Sequence, residues 1–152
     1  MPVSDELRLT REAKIAAPPE VVFTYFTDIE KLLRWNAQEG EVDARVGGAY
    51  RFRVVGNAWA VGEFVEIDPP RRLVYTWGWE DNAALPPGST VVEVTFEASA
   101  GYTLVRLTHR DLPTAGAVEQ HGEGWDHYLA RLGVAASGGD PGPDPWSDVA
   151  PS

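Results

Sequence analysis

The stretch PTAGAVEQHGEGWDHYLARLGVAA, residues 113–136, decides the fold because its apolar residues recur at three- and four-residue steps. This spacing predicts an amphipathic helix that lays one face on a core. Gly122 and Gly124 each disfavour a helix by roughly 1 kcal/mol relative to alanine, so we expect a close backbone approach there. Glu123 and His127 are four residues apart and are expected to pair on the solvent side. The apolar stripe consists of Val118, His121, Trp125, Tyr128, Leu129, Leu132 and Ala136.

Upstream of this helix the hydrophobic pattern changes to period two, which is typical of strands with one wet face. Residues 8–15 alternate in this way, and six further β-rich stretches follow, separated by Gly, Pro and Asn turn signals. Their connections are short, so we predict an antiparallel meander. The six stretches are Glu41–Val46, Ala49–Val55, Trp59–Ile67, Arg72–Trp79, Thr90–Ala98 and Tyr102–Arg110.

Two short helices are predicted between the first and second strands. Pro18 and Pro19 suit the first turn of a helix, where amide donors are unpaired. The spacing of Thr27 and Glu30 is that of a capping box and predicts a second helix carrying Trp35. The expected architecture is an α+β domain in which a curved antiparallel sheet of about seven strands wraps around the long C-terminal helix.

We expect one domain over residues 1–137 and a flexible Gly/Pro-rich tail over 138–152, where Trp146 is the residue able to dock on the domain. The net charge of −10, from 13 basic and 23 acidic residues, disfavours nucleic acid and anionic membranes as partners. The N-terminus is polar, and no apolar run is long enough to span a bilayer. Cysteine is absent, which excludes disulfides and thiol chemistry. A cytoplasmic location is the simplest expectation.

Three stretches of the chain carry a resemblance to a known family. The chain resembles the SRPBCC, or START-like, helix-grip superfamily from about Leu7 to Ala136, and within it the family named after the C-terminal domain of the heat-shock-protein ATPase activator. That superfamily contains ligand carriers, cyclases and dioxygenase subunits, so the resemblance implies the fold and leaves the activity open. The matching stretches are APPEVVF at 17–23 with Leu33-Arg34-Trp35, GEFVEIDPPRRLVYTW at 62–77, and LTHRDLP at 107–113 with Gly124-Trp125.

The resemblance also implies a cavity between the sheet and the C-terminal helix. Period two places large rings on one face of several strands, and the helix stripe opposes them. A packed core is the alternative, since aromatic stripes usually belong to cores. The loop from Trp79 to Pro87 is expected at the cavity mouth, where its carboxylates can meet a polar ligand group or simply be solvated. The candidate ligand-binding residues are Trp35, Tyr50, Phe52, Phe64, Tyr75, Trp77, Phe96, His109, His121, Trp125 and Tyr128.

His109 is the candidate for acid–base chemistry because histidine titrates near neutrality and this one shares its strand face with Val105 and Leu107. A neutral buried histidine bonded to a backbone carbonyl or to Asp111 is the alternative. His121, on the helix stripe, makes a weaker case, and His127 is expected on the surface.

No histidine pair has metal-ligand spacing, and no serine or glycine motif indicates a nucleophile or a phosphate loop. We therefore expect neither metal nor cofactor. The leading hypothesis is a protein that binds a small hydrophobic ligand. A cofactor-free cyclase or hydratase using His109, with Tyr50, Tyr75 or Tyr128 assisting, and a chaperone-interaction module are the alternatives. A homodimer is compatible with all three.

Overall fold

The computed structural model of the protein describes residues 7–146 and contains a seven-stranded antiparallel sheet and three helices within that range. The strand order is β1-β7-β6-β5-β4-β3-β2, so the predicted meander and helix-grip fold are confirmed. Expectations about residues 1–6 and 147–152 lie outside the described residues. The elements are β1 Leu9–Ile15, α1 Pro19–Thr27, α2 Ile29–Leu32, β2 Glu39–Val42, β3 Ala49–Val55, β4 Ala58–Asp68, β5 Arg72–Trp77, β6 Thr90–Ser99, β7 Tyr102–Arg110 and α3 Ala115–Ala136.

The strands bury one face because their side chains alternate as the period predicts. Neighbouring strands align buried residues across the sheet: Phe64 faces Tyr75, Tyr75 faces Val92, and Val92 faces His109. Such cross-strand neighbours lie about 5 Å apart, which brings large side chains into direct contact. The central rows of the sheet therefore fill much of the interior by themselves.

The long helix α3 is capped at its N-terminus by Thr114, whose side chain accepts a hydrogen bond from the Ala117 amide at 3.0 Å. Its buried face includes Trp125, Tyr128 and Leu132, in agreement with the predicted stripe. A Cβ on Gly122 would lie 2.5 Å from the Arg11 guanidinium, so the close approach expected there is confirmed. The same expectation for Gly124 is wrong: a Cβ there would meet nothing within 4 Å.

Several predicted element boundaries near the ends of strands and helices are wrong. Strand β2 ends at Val42 because the reversal before β3 starts early, with the Gly48 amide bonded to the Arg45 carbonyl. The cap of α2 is Asp28, whose carboxylate accepts from the Glu30 amide, so the predicted Thr27 capping box does not form.

Trp35 follows α2 instead of lying within it. Strand β5 ends at Trp77 because the backbone at Gly78 lies against Pro86, where a Cβ would be 1.8 Å from the carbonyl oxygen.

None of the helices in the range 7–146 is long and apolar enough to cross a membrane.

Candidate functional site

A cleft of about 660 Å³ lies at one end of the sheet. It lies between the β3–β4 hairpin, the loop that follows β5, and the N-terminal half of α3. We call it the end cleft. Its aromatic lining consists of Trp77, Trp79, Trp125, Tyr128 and Trp146; its other lining residues are Asn36, Val54, Val55, Asn57, Ala58, Glu80, Asp81, Asn82, Ala83, Gln120, His121, Glu123 and Gly124.

The loop between β5 and β6 forms one wall of the end cleft and is held by its own short-range bonds. The Asn82 side-chain oxygen accepts from the Ala84 and Leu85 amides at 3.0 Å each, which makes an Asx-type turn. Leu85 is buried, and its carbonyl accepts from the Trp79 amide at 2.9 Å. Trp79 is thereby fixed at the cleft, edge-on to Trp77 with ring centroids 5.4 Å apart.

His109 is fully buried behind the cleft lining, and both of its ring nitrogens are occupied. The Trp125 indole donates to Nδ1 at 3.1 Å, so Nδ1 is the acceptor and the proton of the neutral ring is on Nε2. Nε2 lies 2.8 Å from the Thr90 hydroxyl, which in turn donates to the Trp77 carbonyl at 2.7 Å. Burial, with the neighbouring His121 as a smaller cause, holds the pKa of His109 well below its usual value.

His121 repeats this arrangement with the opposite tautomer. The Trp79 indole donates to its Nε2 at 3.0 Å, and its Nδ1 lies 2.8 Å from the Ala117 carbonyl, one helical turn back. Burial lowers the pKa of His121 as well. The His109 and His121 rings meet edge-to-face at 5.0 Å. Each histidine is therefore neutral and oriented by a tryptophan of the cleft.

Trp77, one of the residues that line the cleft, carries an unsatisfied buried donor. Its side chain is buried, and its indole nitrogen has no hydrogen-bond acceptor among the described residues. A buried N–H without an acceptor costs about 1–3 kcal/mol. The ring lies between Trp79 and Trp125, with centroids 5.4 Å from each.

The segment after α3 forms the outer side of the cleft. The Asp144 carboxylate, almost fully buried, accepts from the Tyr128 hydroxyl at 2.7 Å and lies 2.8 Å from His127 Nε2. Burial would raise the pKa of Asp144, but bonds from Tyr128, His127 and the Trp146 amide hold it below its usual value. Trp146 stacks on His127 with ring centroids 3.9 Å apart.

His127 was expected on the open surface and paired with Glu123, and this expectation is wrong. The imidazole is about one-fifth exposed and lies between Asp144 and Trp146. An exposed pair of His127 with Glu123, one helical turn apart, would contribute only about 0.3–0.5 kcal/mol. The nearly buried Asp144 carboxylate is the stronger partner for His127. Glu123 remains exposed at the cleft instead.

The predicted ligand-binding residues divide into two groups. Trp77, His121, Trp125 and Tyr128 line the end cleft. The rest lie in the packed interior, where Tyr50, for example, stacks on Phe52 at 5.0 Å and meets Tyr75 edge-on at 5.6 Å. Only a crevice of about 10 Å³ adjoins that ring group, room for no more than a single water. The interior group is Trp35, Tyr50, Phe52, Phe64, Tyr75, Phe96 and His109.

Three residues at or behind the cleft were not among the predicted ligand-binding residues: Glu123 and Trp146, which line it, and Asp144, which lies behind Tyr128. Trp146 stood out as a large ring in a Gly/Pro-rich segment, and this was the available signal. Asp144 gave none, because its partners are 16 and 17 residues away. The loop carboxylates Glu80 and Asp81, expected at a cavity mouth, do lie on the cleft. Within residues 7–146 no group of three or more His, Asp or Glu side chains is placed to hold a metal ion.

Comparison with known proteins places the fold in a family. The model for Activator of Hsp90 ATPase homolog 1-like protein matches residues 16–137. The chain is 24% identical over 117 residues to an uncharacterized protein of Schizosaccharomyces pombe, matching 76% of this chain but spanning only 33% of that relative's length.

Solved structures with the same fold include relatives whose roles are named. An AHSA1-like protein from Rhizobium etli is 48% identical, with a TM-score of 0.73 over 91% of this chain and 87% of that one. An HSP90 activator from Plasmodium falciparum is 27% identical, with a TM-score of 0.69 over 82% and 92% of the two chains. The Aha1 dimer from Colwellia psychrerythraea, 20% identical with a TM-score of 0.75 over 87% and 95%, shares the fold.

Proposed function

The chain belongs to the Activator of Hsp90 ATPase homolog 1-like family, and within that family we propose that it binds a small apolar or aromatic molecule in the end cleft. One observation carries the proposal: a recess of about 660 Å³ is walled by five aromatic residues, Trp77, Trp79, Trp125, Tyr128 and Trp146. A ligand that presents a ring to these walls would bury its apolar surface there.

The dimensions of the end cleft support this proposal. Its volume of about 660 Å³ lies within the roughly 300–1,000 Å³ usual for small-molecule sites. Burying about 300 Å² of apolar ligand surface at about 25 cal/mol per Å² supplies on the order of 7 kcal/mol before association costs. We therefore expect affinities no tighter than about micromolar for a ligand held by contact alone.

The environment of His109 weighs against the cyclase or hydratase hypothesis. Its two ring nitrogens are bonded to Trp125 and Thr90, and the ring is fully buried. A general base must reach the proton that it abstracts, directly or through one water. The same bonds give His109 a structural role, since it orients two residues around the cleft.

Gly124 offers a direct test of the proposed site because a side chain there would point into open space on the cleft lining. We expect Gly124→Leu to weaken binding of N-phenyl-1-naphthylamine, a neutral aromatic probe, at least tenfold in a fluorescence titration. Gly133→Leu is the matched control: it lies on the same helix, also in open space, but on the groove between α3 and β1. Equal affinities for the two variants, or no saturable binding to the parent protein, would refute the proposal.

A chaperone-interaction role is the second candidate, and the likeness to the Plasmodium falciparum HSP90 activator favours it. Under this proposal the chain binds an Hsp90-type ATPase and raises its turnover. A pull-down with purified Hsp90 and an ATPase assay test this role. If the chain neither binds Hsp90 nor stimulates its ATPase at micromolar concentrations, the chaperone role is refuted.

A homodimer in the cytoplasm is proposed as the working state, with the open edges of β1 and β2 as candidate contacts. Light scattering measures the mass of the particle in solution and so tests the dimer.

A further inference from the structure

The charges around the end cleft narrow the class of ligand. Among the described residues that line it, none is lysine or arginine, whereas Glu80, Asp81 and Glu123 are carboxylates. Glu80 is neutralised by Arg51, whose guanidinium bonds both of its oxygens. Asp81 and Glu123 are exposed and make no ion pair with any residue in the described part of the chain. The uncompensated charge at the mouth is therefore negative.

The histidines next to the cleft do not offset this charge. In His109 and in His121 one ring nitrogen accepts an indole N–H, an arrangement that only the neutral imidazole allows. A fourth carboxylate, that of Asp144, lies behind Tyr128 and Trp146. An anion entering the cleft would meet like charge without a cationic partner, and its desolvation would be uncompensated.

The aromatic walls of the end cleft also favour a cationic ligand. A cation near a tryptophan or tyrosine ring is attracted by the ring quadrupole, and the attraction grows as the site excludes water. Trp79, Trp125, Tyr128 and Trp146 supply four such rings on different sides of one recess. Rings and carboxylates together form the arrangement that receives amines and quaternary ammonium groups.

We propose that the end cleft selects an aromatic organic cation, with the cationic group held near Asp81 and Glu123 and the ring system among the tryptophans. This selection rests on the proposed ligand-binding function and specifies its ligand class. The selection is for charge and shape, and it leaves the histidines without a role in chemistry.

Three ligands that share a 2-naphthylmethyl group test the charge preference: (naphthalen-2-ylmethyl)trimethylammonium, 2-naphthylmethanol and 2-naphthylacetate. We expect the cation to bind about tenfold tighter than the alcohol, and the anion weakest, by tryptophan fluorescence at low salt. If the alcohol binds and the cation binds no tighter, the charge preference is refuted while the binding proposal stands. If none of the three binds, both proposals fail.

A pair of double variants separates the cleft carboxylates from the net charge of the protein. Asp81→Asn with Glu123→Gln should weaken binding of the cation about fivefold and leave binding of the alcohol within twofold. Glu97→Gln with Glu119→Gln removes the same charge from exposed positions outside the cleft and should change neither. Equal losses in the two double variants would assign the preference to the overall field and overturn the role of Asp81 and Glu123.

Discussion

His109 and His121 each accept a hydrogen bond from a tryptophan indole N–H. Because the indole can only donate, this bond sets the protonation state of each imidazole. An indole N–H can approach an imidazole nitrogen only where that nitrogen has a free lone pair, so each ring is locked as one neutral tautomer. Protonation would break a buried hydrogen bond and place a charge in an apolar surrounding, which raises its cost further. The two imidazoles thus act as acceptors that fix Trp79 and Trp125 in the lining of the cleft.

The depressed pKa values of these two histidines predict how stability depends on pH. The unfolded chain takes up protons near pH 6.5 while the folded chain does not, so the free energy of unfolding is constant above about pH 6.5 and falls below it. The slope is up to about 1.4 kcal/mol per pH unit for each histidine. Urea titrations between pH 5 and 7.5 measure this slope, and His121→Gln should reduce it.

The ring proton signals of the two histidines check the same prediction without unfolding. Their NMR titration midpoints should lie below about pH 6.5, that of His109 well below it, since burial disfavours the charged form of both rings in the folded state. A titration midpoint for His109 near pH 6.5, or an unfolding free energy that does not change between pH 7.5 and pH 5, would contradict the assignment of His109 as a neutral imidazole with both ring nitrogens hydrogen-bonded.

At the scale of elements, the segment after α3 is attached through side chains instead of regular structure. Arg131 adds to the bonds made by Asp144, donating to the Gly142 carbonyl at 2.9 Å and to the Trp35 carbonyl at 3.2 Å. The segment from Ser137 to Trp146 contains no helix or strand. Its position on α3 therefore depends on a few polar anchors and on one stacked ring pair.

Asp144→Ala should remove the main anchor of this segment. The Trp146 amide loses its acceptor, and the Tyr128 hydroxyl keeps only the longer contact of 3.3 Å to the Val54 carbonyl, so we expect a loss of about 1–3 kcal/mol in the free energy of unfolding by urea titration. Asp126→Asn is the control, because its pair with Arg11 is exposed and should contribute less than about 1 kcal/mol. Equal losses for the two variants would mean that the segment is not held through Asp144.

The elements were predictable because their signals are local. Alternation in residues 49–55 and 102–110, and the three- and four-residue stripe of α3, follow from which side of each element faces the core. The contacts of His127 were not, since the choice of Asp144 over Glu123 depends on burial of a carboxylate that lies 17 residues away. Local spacing offers an exposed pair, and tertiary burial outweighs it.

For the whole molecule, the location of free space was the part that sequence could not determine. Period two identified the inward rings correctly, but whether they enclose a chamber depends on their volumes once the strands are aligned. Tyr50, Phe52, Tyr75 and Trp77 are close enough to contact one another and close the middle of the interior. Space remains at the end of the sheet, where Gly124 has no side chain and the segment after β5 reaches α3 through the bond from Trp79 to His121.

The indole N–H signals of the protein test the central claim most directly, because the six tryptophans sample the cleft and its surroundings. Titration of ¹⁵N-labelled protein with (naphthalen-2-ylmethyl)trimethylammonium and with 2-naphthylmethanol should shift the signals of Trp77, Trp79 and Trp125 in a saturable way. Trp35, buried beside α2, and Trp59, beneath Arg51 on the outer face, should stay in place. Saturable shifts confined to the cleft tryptophans are the predicted result; no shift with either ligand, or shifts at Trp35 or Trp59 instead, would contradict binding in the end cleft.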